Sequence, residues 1–418
     1  MKIVYLHQYF NTPEMSGGTR SYEMARRMVA AGHEVHMVTS IREATQQLNS
    51  WVQTEEAGIR VHWYPVPYSN NMNYAQRMRA FISFAIAARQ KAIKLGGDIV
   101  FATSTPLTIA LPAVAAARKS RIPMVFEVRD LWPEMPIAMG ALNNPLLRFG
   151  ARRLEQWAYK NSAAVVALSP GMKAGVVATD YPREKVAVIP NGSDNGEFIF
   201  NAEAAQQFRV ARPWLGDKPL LVYAGTFGKV NGVGYMVELA KALLARGSDI
   251  RILLVGRGAE RDRVRSDAKI AKVYQENLFI EDSLPKKDVP ALLSAATMSS
   301  NLVLDLPEAR ANSANKFFDG LASGKPILLN HGGWMHELIT KHECGLPMWQ
   351  RSITDAAAAL DARMHDQVWL DRAGRAARKL AESFFDRDVL ADQLIRVLLA
   401  VAEGKPHSAE QIAPGVYD

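Results

Sequence analysis

From Lys2 to Ser40 the chain reads as a strand, a glycine loop, a helix and a second strand, and near residue 219 the same order starts again. KIVYLH (2–7) is an apolar run of strand length, followed by Gly17 and Gly18. Thr19 to Ala31 places Tyr22, Ala25 and Val29 at helical spacing and stops at Gly32, and EVHMVTS (34–40) is the next strand. Such alternation builds parallel sheets covered by helices. Further strands are expected at 59–64, 98–102, 122–128, 163–168 and 186–189, with a turn at Pro190-Asn191-Gly192. The second round has PLLVYAGTF (219–227), a Gly228–Gly234 loop, a helix over Tyr235–Ala245 and DIRILLVGRG (249–258), then strands near 278–280, 298–304 and 326–329. The expectation is an α/β protein with two doubly wound halves: domains at 1–200 and 201–385, then a terminal helix and tail at 386–418. In open parallel sheets ligands sit beyond the carboxyl ends of the strands, where these glycine loops fall. A cleft between two such domains is the expected site.

A chain of 418 residues with 48% hydrophobic and 22% charged residues has the composition of globular domains. Its one cysteine, Cys344, excludes an intramolecular disulfide or a multi-cysteine metal site. The first strand begins at once, without a secretory pattern, and no run of about 20 uncharged apolar residues exists. A cytoplasmic location is therefore expected. The net charge of +8 favours anionic partners. Nucleic acid is disfavoured, because the basic residues are not interleaved with stacking aromatics. The nine histidines are scattered and no cluster has metal-ligand spacing, so no metal or cofactor is expected.

SANKFFDGLASGKPILL (313–329) reads as a helix opening on Ser313–Lys316, closing at Gly324 and followed by a strand. Ser313 and Asn315 suit the cap, and the free amides of a helix start suit phosphate. Lys316 adds charge there, and Asp319, one turn on, suits the hydroxyls of a ribose. In GTFGKVNG (225–232), Gly228 permits close approach and Lys229 offsets a diphosphate. Arg257, between Gly256 and Gly258, suits a base or phosphate, although a pair with Glu260 is the favoured ordinary role. Gly17 and Gly18 offer backbone amides. The dinucleotide pattern G-x-G-x-x-G is absent after the first strand, which disfavours a nicotinamide cofactor. FEVRDLWPE (126–134) gathers Glu127, Arg129, Asp130 and Glu134 at a strand end, and Glu127, Arg129 and Asp130 are the catalytic candidates.

Residues 57–97 contain no Asp or Glu but hold Arg60, Arg77, Arg79, Arg89, Lys91 and Lys94. Met78, Phe81, Ile82, Ala85 and Ile86 form one apolar helical face. Such a helix either lies on an anionic bilayer through 77–94 or covers the first sheet. Tyr64, Tyr68, Met72 and Tyr74 precede it.

The order of HQYFNTPEMSGGTRSYEMARRMVAAGHEVHMVTS, FEVRDLWPE, ALSPGMK (167–173), VIPNGSD (188–194), YAGTFGKVNG and NKFFDGLASGKPIL resembles retaining glycosyltransferases of family GT4. The similarity is greatest to the branch of WbuB-like N-acetyl-L-fucosamine transferases. The resemblance implies the GT-B arrangement of two Rossmann-like domains and a nucleotide-sugar donor, UDP-linked, held mostly by the second domain. It assigns Lys229 to the donor phosphates, Asp319 to the ribose as the second carboxylate of an E-x7-E motif, and Gly17 and Gly18 to the donor's phosphate side. It implies a lipid-linked saccharide acceptor at the cytoplasmic face of the inner membrane, in surface polysaccharide synthesis, and a terminal helix bracing the first domain. From sequence alone that helix, Phe384–Glu403 with Val389, Leu390, Leu394, Val397 and Leu398 apolar, equally suits a dimer; the tail 404–418 reads as irregular. Two departures stand out. Ala311 occupies the position of the first Glu of E-x7-E, with Glu308 nearby, and Arg129 precedes Asp130 where the family often has His.

With no nucleophile evident, front-face displacement is expected, the leaving diphosphate taking the acceptor proton. A UDP-sugar 2-epimerase of the same fold and a peripheral membrane-binding protein are the alternatives.

Overall fold

Strands inside a parallel sheet are buried on both faces, and Ile3, Val4, Tyr5 and Leu6 of the first strand are all shut off from solvent. The computed structural model describes residues 1–15, 17–41, 50–66, 72 and 74–416. Within it the chain divides into two units, Met1–Pro190 with Asp388–Asp418, and Asn191–Arg387.

The first unit is one sheet of β1 (Lys2–Leu6), β2 (Glu34–Ile41), β3 (Val52–Glu56), β4 (Ile59–Pro65), β5 (Ile99–Thr103), β6 (Met124–Val128), β7 (Ala164–Ala167) and β8 (Val186–Val188), in the order β3-β4-β2-β1-β5-β6-β7-β8. Every pairing is parallel except that of β3 with β4. β3 is absent from the strands read from sequence, because VQTEE is a polar edge strand with no apolar run. What creates it is the turn: Ala57 and Gly58 have φ of 51° and 80°, the two-residue geometry that folds a chain back antiparallel. The chain builds outward from β1 to one side and then returns to lay β5 on the other, so the strand order reverses between β1 and β5.

Helix Arg387–Ala402 adds Leu390, Leu394, Val397 and Leu398 to the core that holds Ile3, Tyr5 and Val35. Val389, expected on the same apolar face, is 48% exposed. The tail is more ordered than its composition suggested. Ala409–Ile412 is a helical turn, Ala413 is buried, and the Ala413 carbonyl accepts from the amide of Val188 at 2.8 Å. An edge strand with unpaired amides supplies the partner that a polar tail lacks in isolation.

The second unit is a parallel sheet of β9 (Leu220–Ala224), β10 (Arg251–Val255), β11 (Leu278–Glu281), β12 (Met298–Asn301), β13 (Ile327–Leu329) and β14 (Gly345–Pro347), ordered β11-β10-β9-β12-β13-β14. Its order reverses between β9 and β12. β14, three residues reading GLP, gave no sequence signal; it pairs with β13. Residues 191–200 belong to this unit rather than to the first. The Asn191 amide donates to Ser313 Oγ at 3.1 Å, and the Ser193 amide to the Phe385 carbonyl at 3.0 Å.

Helix Tyr74–Leu95 turns its apolar residues two ways. Ala80, Phe84, Ala85 and Ala88 are buried, while Ile82 and Ile86 are 49% and 59% exposed. The single apolar face expected for 78–86 is thus split, Phe84 and the alanines packing inward and the isoleucines outward. Tyr68 lies outside the described residues. Among the described residues no helix is long and apolar enough to cross a membrane.

Candidate active site

Both strand-order reversals collect the chemistry-bearing residues, each within its own unit. In the first, His7 follows β1, Ser104 follows β5 and Arg129 follows β6. The Arg129 amide donates to Ser104 Oγ at 3.0 Å, and its Nη1 lies 3.3 Å from His7 Nε2. Asp130 beside it is exposed. Gly17 and Gly18, also exposed, fall in the loop after β1, where Asn11 Nδ2 donates to the Gly18 carbonyl at 3.3 Å. His7 and Asn11 were not singled out in the sequence, although His7 directly follows β1 and Asn11 lies in the loop beyond it.

Glu127 does not fit the catalytic role first given to it. Its carboxylate is fully buried. Oε1 accepts from Arg20 Nε and Nη2 at 3.0 and 2.9 Å, and Oε2 accepts from Thr103 Oγ1 at 2.6 Å. Arg20 also donates to the Pro190 and Ile189 carbonyls at 2.7 and 2.9 Å. A buried charge needs a partner and satisfied hydrogen bonds, and this network supplies both. Glu127 is therefore a positioning residue that fixes the first turn of helix Arg20–Ala30 against the end of β8.

In the second unit the loops after β9 and β10 interlock through their backbones. The Gly225 amide donates to the Val255 carbonyl at 2.9 Å, and the Phe227 amide to the Arg257 carbonyl at 2.8 Å. A Cβ on Gly256, whose φ is 155°, would stand 1.9 Å from the Gly225 carbonyl oxygen. Glycine is needed here for two chain segments to meet, as much as for any ligand. Arg257 is exposed and, among the described residues, its side chain makes no hydrogen bond or ion pair. Its expected pair with Glu260 does not form, because Arg263 takes that carboxylate at 2.9 Å. Gly228 and Lys229 open the next turn, Lys229 being exposed and likewise uncommitted.

Lys316 is a desolvated charge in this unit. Its stem passes so close to Gly225 that a Cβ there would lie 2.6 Å from Lys316 Cε. The ammonium stands over the Tyr223 ring at 4.9 Å and 3.4 Å from Asn231 Oδ1, on the turn that carries Lys229. No carboxylate pairs with it among the described residues, and desolvation lowers it from the usual lysine range to about 8. It sits in the first turn of helix Asn315–Ala322, whose start no side chain caps. The cap expected of Ser313 is not made; its hydroxyl accepts from Asn191 instead. One turn on, Asp319 Oδ1 accepts from Ser193 Oγ at 3.0 Å, and burial raises this carboxyl to about 6 against the opposing pull of Arg387. Ser193 and Arg387 escaped notice in the sequence because they lie far from Asp319 along the chain. Arg387 donates to the Gly192 carbonyl at 2.7 Å and pairs with Asp194.

Ala311 closes a 3₁₀ turn, Pro307–Ala311, and is 8% exposed. A 3₁₀ helix has about three residues per turn, so Glu308 and Ala311 share a face. Glu308 is half-buried and has no side-chain partner among the described residues.

Two units of this kind, each with its polar residues at the reversal of a parallel sheet, define the GT-B class of glycosyltransferases. Residues 17–192 match the Glycosyl transferase 4-like domain and residues 205–380 match Glycosyl transferases group 1. The chain belongs to the GT4-type glycosyltransferases and is an enzyme that uses nucleotide-sugar donors. It is 24% identical to a glycogen synthase of Mycobacterium tuberculosis, over 93% of this chain and 92% of that one. Sucrose-phosphate synthase from Thermosynechococcus elongatus shares the fold with a TM-score of 0.78 at 18% identity, covering 96% of this chain and 99% of the other. Alr3699/HepE of Anabaena, in complex with UDP-glucose, gives a TM-score of 0.71 at 15% identity, covering 96% and 100%.

Proposed function

We propose that the protein is a retaining, metal-independent glycosyltransferase that moves a sugar from a UDP-sugar to a polyprenyl-diphosphate-linked saccharide in surface polysaccharide synthesis, with WbuB-like transferases as its branch. The observation that carries this reading is Lys316: an ammonium held half-buried at an uncapped helix start, without a carboxylate, is kept in place for an anion. The diphosphate of the donor lies against the amides of Asn315 and Lys316, with Lys316, Lys229 and Arg257 balancing its charge and Gly228 giving it room. Asp319 accepts from the ribose hydroxyls. The complex of Alr3699/HepE with UDP-glucose supports uridine as the nucleoside. As the sugar–oxygen bond breaks, negative charge grows on the leaving diphosphate, and preorganised amides and ammonium groups stabilise it without reorganising. That oxygen then takes the acceptor proton, and the new bond forms on the face the diphosphate leaves, which retains the anomeric configuration.

Arg129 and Asp130 serve the acceptor side, Arg129 steadied by His7 and Ser104. Glu308, on the same face of its turn as Ala311, takes over the carboxylate that position 311 lacks. Helix Tyr74–Leu95, with Arg79, Ile82, Ile86 and Arg89 outward, faces an anionic membrane where a lipid-linked acceptor resides, at the cytoplasmic side. A panel of UDP-sugars incubated with and without acceptor, with the product anomer read by NMR, tests the reading. Retention of configuration with a UDP-sugar is expected. An inverted product, conversion of the UDP-sugar without acceptor, or no response to any UDP-sugar defeats it.

A further inference from the structure

Helix Pro145–Lys160 starts clear of its own domain. Leu146 is 80% exposed, Phe149 64% and Leu147 46%, and only from Ala151 does the helix begin to dock. Single exposed apolar residues are ordinary, but three within the first helical turns are not. The helix is not frayed by default: Asn144 Oδ1 caps it, accepting from the amides of Leu146 and Leu147 at 2.9 and 3.3 Å. Arg148, Arg152 and Arg153 surround the apolar residues. Arg152 pairs with Glu134 at 2.9 Å, Arg148 donates to the Leu142 carbonyl at 2.7 Å, and the Arg153 guanidinium lies 5.6 Å from the Phe149 ring centre. The nearest acid on the helix itself, Glu155, is buried and accepts from Tyr159. This helix and Tyr74–Leu95 both pack on the segment Leu107–Ser120, whose Leu111 is 39% exposed. The exposed isoleucines of one helix and the exposed leucines and phenylalanine of the other therefore flank a common element.

We infer that the start of Pro145–Lys160 is an anchor that inserts Leu146, Leu147 and Phe149 into an anionic lipid bilayer, with Arg148 and Arg153 at the headgroup phosphates. This deepens the membrane-facing reading of Tyr74–Leu95, but rests on different side chains. Apolar residues ringed by arginines match the boundary between acyl chains and charged headgroups. An arginine lying along an aromatic ring can reach phosphate while its stem stays in the apolar layer. A second copy of the chain fits less well, since this face would set arginines against arginines, and the one acid of helix Pro145–Lys160, Glu155, is buried.

The test is co-sedimentation of the full chain with vesicles of phosphatidylcholine, with and without about a third phosphatidylglycerol. Binding to the anionic vesicles is expected, weakening as salt rises. The double variant Leu146→Ser/Phe149→Ser should lower that affinity about tenfold or more, from the burial each side chain forfeits, while transfer to a water-soluble acceptor is unchanged. A second measurement does not rely on loss. In Phe149→Cys the only other thiol, Cys344, is buried, so a nitrobenzoxadiazole label reports on position 149 alone and should brighten on anionic vesicles. Unchanged binding by the double variant, or a label that stays dark while the protein sediments, overturns the anchor and leaves the Tyr74–Leu95 reading standing. Failure of the wild-type protein to bind defeats both. Self-association without lipid that the double variant abolishes shows that a second copy, not a membrane, covers the face.

Discussion

Replacing Lys316 by Met should stabilise the empty enzyme and weaken its donor binding at once. Desolvation lowers the ammonium from 10.5 to about 8. Each pKa unit corresponds to about 1.4 kcal/mol, so holding the charge in the empty site costs at most about 3.4 kcal/mol. Partial access of water discounts this to about 1–2 kcal/mol. Methionine keeps most of the stem that packs against Gly225 and Tyr223 and removes the charge. At about 2–4 °C per kcal/mol for a unit of this size, the melting point of the ligand-free protein should rise by a few degrees. The sign with pH follows from the lowered value. The wild-type penalty is complete below about pH 8 and fades as pH rises toward 10.5, so the advantage of Lys316→Met should shrink over that window. Binding moves the other way. Losing a charge-assisted contact costs about 1.5–3 kcal/mol, or roughly 10- to 100-fold in UDP affinity. Differential scanning fluorimetry with and without UDP reads both quantities. A variant that melts lower when empty, or one that keeps the full UDP-induced shift, would refute the view of Lys316 as an anion-binding charge kept at a stability cost.

Other outcomes follow from the same geometry. With its carboxyl raised to about 6, Asp319 loses its charge as pH falls through that value, so kcat/KM for the donor should drop below about pH 6 in the wild type. In Asp319→Asn it should be low and flat across that range, and an unchanged profile removes Asp319 from donor binding. Glu127→Gln strips the buried Arg20 of its counter-charge and should cost about 3–5 kcal/mol in urea unfolding. A purely kinetic defect with unaltered stability would return Glu127 to the catalytic list. Gly256→Ala drives a methyl against the Gly225 carbonyl and should destabilise by about 1–3 kcal/mol or more, whereas Gly228→Ala, with only the Asn231 and Thr226 side chains nearby, should be milder; equal urea midpoints would refute the interlocked-loop account.

The two-sheet architecture was legible in the sequence because interior parallel strands must be apolar throughout, and KIVYLH, PLLVYAGTF and DIRILLVGRG are. The glycine loops, Lys316 and Asp319 could be named for the same local reason: each follows a strand or opens a helix, and the chain alone sets those positions. What the sequence did not yield is contact across distance along the chain. β3 and β14 exist only as partners of neighbouring strands, and the tail becomes ordered because the edge of β8 needs a donor–acceptor match. Glu127 reads as catalytic from its place at a strand end, whereas in the fold Arg20, 107 residues away, pairs with it. Ser193 meets Asp319 from 126 residues away through packing that no local pattern encodes. Residue order decides which groups are offered at a strand end, but burial and pairing decide which stay free to act, because a charge's worth depends on the dielectric and the partners that only the folded chain assembles around it.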